Sequence, residues 1–176
     1  MNDDGTVIAV PIEIDELPSE ARERLDELFL SAPLMHQLGG SLVSWSPGQS
    51  TVTASIDKSH TNFIGGGHGG ILFSLGDIAM SFASNGYGRQ CLATQINISY
   101  HRGVLPGDLI AAVATEINRT RRFAHYRLDL SVEKKLVASA TGTTYRTNEW
   151  HFGDCLLYTS DAADEGLGVD LGGRRI

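Results

Sequence analysis

One run of residues limits what this 176-residue chain can fold into more than any other feature. Between a glycine-rich stretch, Gly65-Gly66-Gly67-His68-Gly69-Gly70, and the pair Asn85-Gly86 lie Ile71, Leu72, Phe73, Leu75, Ile78, Ala79, Met80, Phe82 and Ala83. The run is too long for one strand. Its apolar positions fall nearly all round a helical wheel, with small residues throughout, so it predicts a helix walled in on every side. Asn85-Gly86 and Gly88 supply the conformations that end such a helix. One charge interrupts it, Asp77, and a carboxylate among apolar neighbours costs free energy unless it is paired or used.

The rest of the pattern supplies the wall. Pro18-Ser19-Glu20 opens a helical period with Ala21, Leu25, Leu28 and Phe29 on one face and acids in the first turn. Pro33 interrupts it, and residues 34–38 predict a further short turn. Residues 41–45 and 51–56 alternate in polarity around Pro47-Gly48, which predicts a hairpin. After the buried helix come four strand-like runs, 91–101, 108–118, 124–132 and 136–147, separated by Pro106-Gly107, by residues 119–122 and by Glu133-Lys134-Lys135. Short connections make the last three an antiparallel meander. The simplest packing is an α+β one, a long antiparallel sheet wrapped round the single helix apolar enough to sit inside.

Composition narrows the setting. Apolar content of 41% and charged content of 20% suit a globular chain with one core. No stretch approaches the ~18 apolar residues needed to cross a bilayer, and the acidic start does not resemble a signal peptide, so no membrane association is expected. Cys91 and Cys155 make no disulfide framework, which predicts a reducing, cytoplasmic location. A net charge of −7 argues against nucleic acid as a partner, while a local basic cluster still leaves room for a phosphorylated small ligand.

Residues 155–176 break with what precedes them. Cys155-Leu156-Leu157-Tyr158-Thr159-Ser160-Asp161-Ala162-Ala163-Asp164-Glu165 resembles one reading frame of a transposase-type sequencing adapter. After an index-sized gap, Gly166-Leu167-Gly168, the run Val169-Asp170-Leu171-Gly172-Gly173-Arg174-Arg175-Ile176 resembles the next adapter piece. Two pieces in order with that gap predict a translated adapter rather than natural protein. Setting aside its four acids and two arginines takes the net charge from −7 to −5 and leaves Cys91 as the single cysteine. The expected organisation is an N-terminal segment with a helix (1–40), one domain (41–154) and the adapter-like tail (155–176).

His60-Thr61-Asn62-Phe63, then His68-Gly69-Gly70, then Ser74-Leu75-Gly76-Asp77 resemble the PaaI-like branch of the hotdog-fold thioesterases. That branch carries H-x-N, then H-G-G, then an acid eight positions after the first Gly. Here Asn62 to Gly69 is seven positions and Gly69 to Asp77 is eight. Ala83-Ser84-Asn85 agrees too, as does Tyr100-His101-Arg102, where Gly103 replaces the family's proline; the agreement spans residues 34–146. The resemblance implies a hotdog fold and hydrolysis of a small or aromatic acyl-CoA thioester without a cofactor. It also implies a homodimer as the smallest active unit, within a homotetramer.

The residues suit that chemistry. Two glycines opening a helix leave uncrowded backbone N–H groups in the positive end of the helix dipole, which is an oxyanion hole for a thioester carbonyl. The resemblance makes Gly69 the donor, with Gly70 beside it in binding substrate. Asp77 lies about 12 Å further along at 1.5 Å per residue, beyond a carbonyl held at Gly69 of the same chain. The expectation is therefore that a second subunit supplies Asp77 across a two-fold axis, as general base on water or as nucleophile. Asn62 offers an amide to water or carbonyl, or else forms a turn. His68 either positions the thioester or caps the helix, and His60 reads as structural. Thr94 and Gln95 stand near where the family has a polar residue facing the carboxylate. Arg119, Arg121 and Arg122 crowd one turn, either solvated or clamping the phosphates of coenzyme A. Ser81, Phe82 and Asn85 are candidates for the acyl pocket. His60, His68 and Asp77 lack a second ligand pair at zinc spacing, so no metal is expected. Ser74 lacks the strand–turn–helix setting of a nucleophile elbow. Two other classes remain: a hotdog hydratase or dehydratase, whose motif is not found, and a non-catalytic acyl-CoA sensor, whose DNA-binding domain residues 1–33 are too short and acidic to form.

Overall fold

The apolar run forms one 17-residue helix inside a six-stranded sheet in the computed structural model, which describes residues 17–152. Residues 1–16 and the adapter-like tail lie outside the described residues. In chain order the elements are α1 (Ser19–Leu30), α2 (Pro33–Gln37), β1 (Gly40–Ser46), β2 (Gln49–Ser55), a 3-10 turn (Lys58–His60), α3 (Gly69–Asn85), β3 (Arg89–Tyr100), β4 (Leu109–Arg119), β5 (Phe123–Val132) and β6 (Lys135–Trp150).

The sheet is antiparallel throughout, in the order β1-β2-β4-β5-β6-β3. The expected meander is β4-β5-β6. The two pairings that close the wrap, β2 with β4 and β3 with β6, join strands distant in sequence. Alternation puts Val52, Ala112, Ala114, Leu128, Leu130 and Ala140 against α3. Small residues in that set let the helix settle close to the strands. The closest approach is at Gly142, where a Cβ would run into Met80 Sδ. Burial against the sheet is the main stabilising term for α3, but the helix is not walled in on every side as expected: one face, with Gly70, Ser74, Asp77 and Ser81, is left open.

α1 closes the C-terminal end of α3. Phe29 stacks on Phe82 at 4.8 Å between ring centroids and meets Trp45 edge-on at 5.1 Å. Ala21, Leu25 and Phe29 are buried as expected, but Leu28 is 44% exposed. The buried stripe follows a strict four-residue spacing, and Leu28 falls beside it. The Pro47-Gly48 hairpin turns with Gly48 at φ +79°, a left-handed conformation that glycine adopts without a Cβ clash. β1 and β3 are the two sheet edges, and β3 carries exposed Leu92 and Tyr100.

Candidate active site

Between β2 and α3 the chain is held by its own hydrogen bonds. Asp57 accepts from the Ser59 amide and hydroxyl at the start of the 3-10 turn, and His60 Nδ1 accepts from the Asp57 amide at 3.3 Å. The His60 ring is thus part of a local cap, as expected. Asn62 ties the following loop: its Oδ1 accepts from Ile64 N at 3.1 Å and Gly66 N at 3.2 Å, while its Nδ2 donates to Gly67 O at 3.4 Å. Of the two roles open to Asn62, the carboxamide oxygen therefore serves the turn, and only a second Nδ2 hydrogen is left for anything else.

Along the glycine-rich segment the amides are nearly all engaged. Gly65 donates to Asn62 O (3.0 Å), Gly67 to Val104 O (2.7 Å), His68 to His60 O (2.8 Å), and Ile71 to His68 O (3.0 Å). Gly70 donates to His68 Nδ1 at 2.9 Å, which makes His68 the N-cap of α3. The amide left without an acceptor among the described residues is that of Gly69. Gly70, expected to help bind substrate, has its amide turned to His68 instead. Because His68 Nδ1 accepts, a neutral ring carries its proton on Nε2, which leaves an exposed donor next to Gly69.

A cavity of about 390 Å³ opens beside the free amide, lined by Gly67, Gly69, Leu72, Tyr100, His101, Arg102, Gly103 and Val104. Tyr100 Oη donates to Gly69 O at 3.0 Å. Tyr100, His101 and Arg102 were not among the expected site residues, although the aromatic-x-Arg element was visible. Its sequence distance from His68-Gly69-Gly70 hid the contact, which exists because β3 ends beside the first turn of α3.

Asp77 lies on the one face of α3 that the sheet does not cover, with Gly70, Ser74 and Ser81. Its carboxylate has no hydrogen bond or ion pair among the described residues. Partial burial without compensation holds its pKa above the ordinary carboxylate value. Of the three acyl-pocket candidates only Ser81 is exposed. Phe82 stacks on Phe29, and buried Asn85 bonds the Cys91 amide and carbonyl at 2.9 and 3.2 Å. Thr94 sits in a β-bulge, its hydroxyl donating to Thr143 O at 3.1 Å, and neighbouring Gln95 is exposed on the sheet edge.

The arginine turn divides. Arg119 faces inward, with Nε 3.3 Å from Glu116 Oε1 and its guanidinium 3.9 Å from the Tyr87 ring centroid. Arg122 donates to Tyr145 Oη at 2.6 Å, and Arg121 is exposed. The phosphate-clamp reading of Arg119 therefore gives way to an internal ion pair. The turn also lies at the C-terminal end of α3, roughly 24 Å along the helix from Gly69 of the same chain at 1.5 Å per residue.

Similarity to known proteins shows that the chain belongs to the hotdog-fold thioesterase superfamily, in its PaaI-like branch. The thioesterase superfamily model matches residues 65–139. A protein from Archaeoglobus fulgidus, whose name places it provisionally among the esterases, is 34% identical over 133 residues, 74% of this chain and 86% of that one. The acyl-coenzyme A thioesterase PaaI of Escherichia coli is 29% identical over 110 residues, 62% of this chain and 79% of that one. The E. coli PaaI structure superposes with a TM-score of 0.72 at 25% identity, over 77% of this chain and 99% of that one. A Streptococcus mutans protein solved bound to acetyl CoA gives 0.59 at 26% identity, over 61% and 88%. The chain is a hydrolase of this thioesterase family.

Proposed function

We propose that the protein hydrolyses small or aromatic acyl-CoA thioesters at a site shared by two subunits. One subunit binds the carbonyl oxygen at the Gly69 amide and the other brings Asp77 to the attacking water. The observation that carries this reading is the single uncommitted amide: every neighbouring N–H from Gly65 to Ile71 is engaged, so the segment presents one donor in one direction. A preorganised donor of that kind stabilises charge as it develops in the tetrahedral intermediate, with no reorganisation at the moment of reaction.

The coenzyme A part rests on the E. coli relative's name and the acetyl-CoA-bound S. mutans structure. Sharing between subunits rests on reach and surface. The ~12 Å from Gly69 to Asp77 along α3 exceeds a hydrogen-bonded contact by several times. Among the described residues, Ser74, Asp77 and Ser81 form an uncovered helix stripe, and β3 is a sheet edge that a second copy can extend. In such a dimer the arginine turn that meets the coenzyme A phosphates belongs to the partner, with Arg121 as its exposed cation. Asp77 acts as base or as nucleophile in the same position. A cytoplasmic setting is where CoA thioesters would be met.

A panel of short-chain, long-chain and aromatic acyl-CoA substrates, followed by release of free thiol, tests the reading. Hydrolysis is expected on at least one member, and Asp77→Ala is expected to lower kcat by a factor of about 10² or more while CoA binding is kept. An intact panel would sink the assignment.

A further inference from the structure

We infer that Tyr100 is a positioning residue for the oxyanion donor: its hydroxyl holds the Gly69–Gly70 peptide from the sheet side and so aims the Gly69 amide. This deepens the reading above and rests on it.

Gly69 O and Gly70 N belong to one peptide unit. Tyr100 Oη donates to its oxygen at 3.0 Å, and His68 Nδ1 accepts from its N–H at 2.9 Å. The preceding unit is held through His68 O, which accepts from Ile71 N at 3.0 Å. Two adjoining peptide planes are thus fixed, and the one polar end left over is the Gly69 N–H. The need for such fixing comes from the sequence. Gly65, Gly66, Gly67, Gly69 and Gly70 have no Cβ to limit φ and ψ, and a free segment of that composition would point its amides in many directions.

Tyr100 is suited to the task because its own base is firm. It pairs with Ala138 on β6, and the next two amides, His101 and Arg102, both donate to Val137 O, at 2.8 and 3.2 Å. Its ring lies flat enough on the helix start that a Cβ on Gly69 would stand 3.0 Å from Cζ and 3.3 Å from Oη. A side chain at position 69 would therefore have to push the Tyr100 ring aside by a few tenths of an ångström. The hydroxyl is the part that sets the angle, while the ring walls the cavity beside the carbonyl site.

Tyr100→Phe separates the two, removing the hydrogen bond and keeping the wall. With the best acyl-CoA of the panel, kcat is expected to fall about tenfold, with KM within about twofold of wild type and the thermal midpoint unchanged; small misplacements at a reacting centre have effects of this order. The Gly70 amide, which His68 Nδ1 holds in the same peptide, should meanwhile exchange faster, and the Gly69 NMR resonance should shift in the free protein. Combining Tyr100→Phe with His68→Ala should lower kcat by less than the product of the single effects, since both hold one peptide. A kcat within twofold of wild type, an unmoved Gly69 resonance, or a KM that rises in step with the loss of kcat would overturn the proposal while hydrolysis itself stood. A wild-type protein inactive on the whole panel would remove the thioesterase reading first, and this one with it.

Discussion

Asp77 sits where ionisation is disfavoured, half-buried on α3 with no hydrogen bond or ion pair to its carboxylate among the described residues. Its pKa is raised from 3.8 by desolvation. As a base it must be ionised, so the acid limb of kcat/KM should fall at a pH above that of an ordinary carboxylate, and a pH–rate profile reads it directly. The same shift has a consequence for stability. With its folded pKa above its unfolded value, the folded state holds the proton more tightly, so the contribution of Asp77 to stability is present below the unfolded pKa and lost as pH rises through the folded one. At neutral pH the charge is therefore a burden. Asp77→Asn should abolish hydrolysis and at the same time raise Tm at pH 7–8, measured by thermal unfolding. An unchanged or lower Tm would mean that the protein supplies Asp77 with a partner not found among the described residues of one chain.

At the scale of elements, the β5–β6 turn departs from what its sequence favours. Glu133 and Lys134 both have positive φ, 47° and 66°, between Val132 and Lys135, which pair with each other. That is a two-residue type I′ loop, a conformation for which Asn-Gly is preferred and in which ordinary side chains are strained by ~1–2 kcal/mol each. Replacing the pair by Asn-Gly should raise Tm by roughly 2–4 °C or more with activity unchanged, measured by thermal unfolding. Strands and α3 were legible because period-2 and all-round apolar patterns survive in the sequence, and the loop lengths gave the β4-β5-β6 meander. The β2–β4 and β3–β6 pairings were not, because register between distant strands leaves no local mark. Arg119 shows a second limit. Ala112, Ala114 and Glu116 alternate toward the interior, and a bulge between Glu116 and Asn118 then shifts the phase, so Arg119 turns inward where alternation would have placed Asn118. Asn62 shows a third, since one amide chemistry serves a turn and a ligand equally well, and only the positions of Ile64 N and Gly66 N decide between them.

For the whole molecule the question is whether one chain or two make a site, and subunit mixing answers it. Gly69→Ala puts a methyl against the Tyr100 ring at the proposed carbonyl donor, so the variant should lose about 10²-fold or more in kcat. Asp77→Ala should be similarly inactive for a different reason. In a heterodimer of the two, the Gly69 of the Asp77→Ala chain faces the intact Asp77 of the other chain. The opposite site carries both lesions. Co-expression with two tags and tandem purification isolates that heterodimer, and two-fold symmetry predicts about half the wild-type activity per dimer from two inactive parents. If each site were built within one chain, every site in the heterodimer would carry one lesion and none would turn over. Recovery near one half therefore requires both that the protein dimerises and that the interface brings α3 of one subunit to the helix start of the other. A heterodimer as inactive as its parents would place Asp77 in the wrong chain, and the ~12 Å between Gly69 and Asp77 along α3 would then need another group to bridge it.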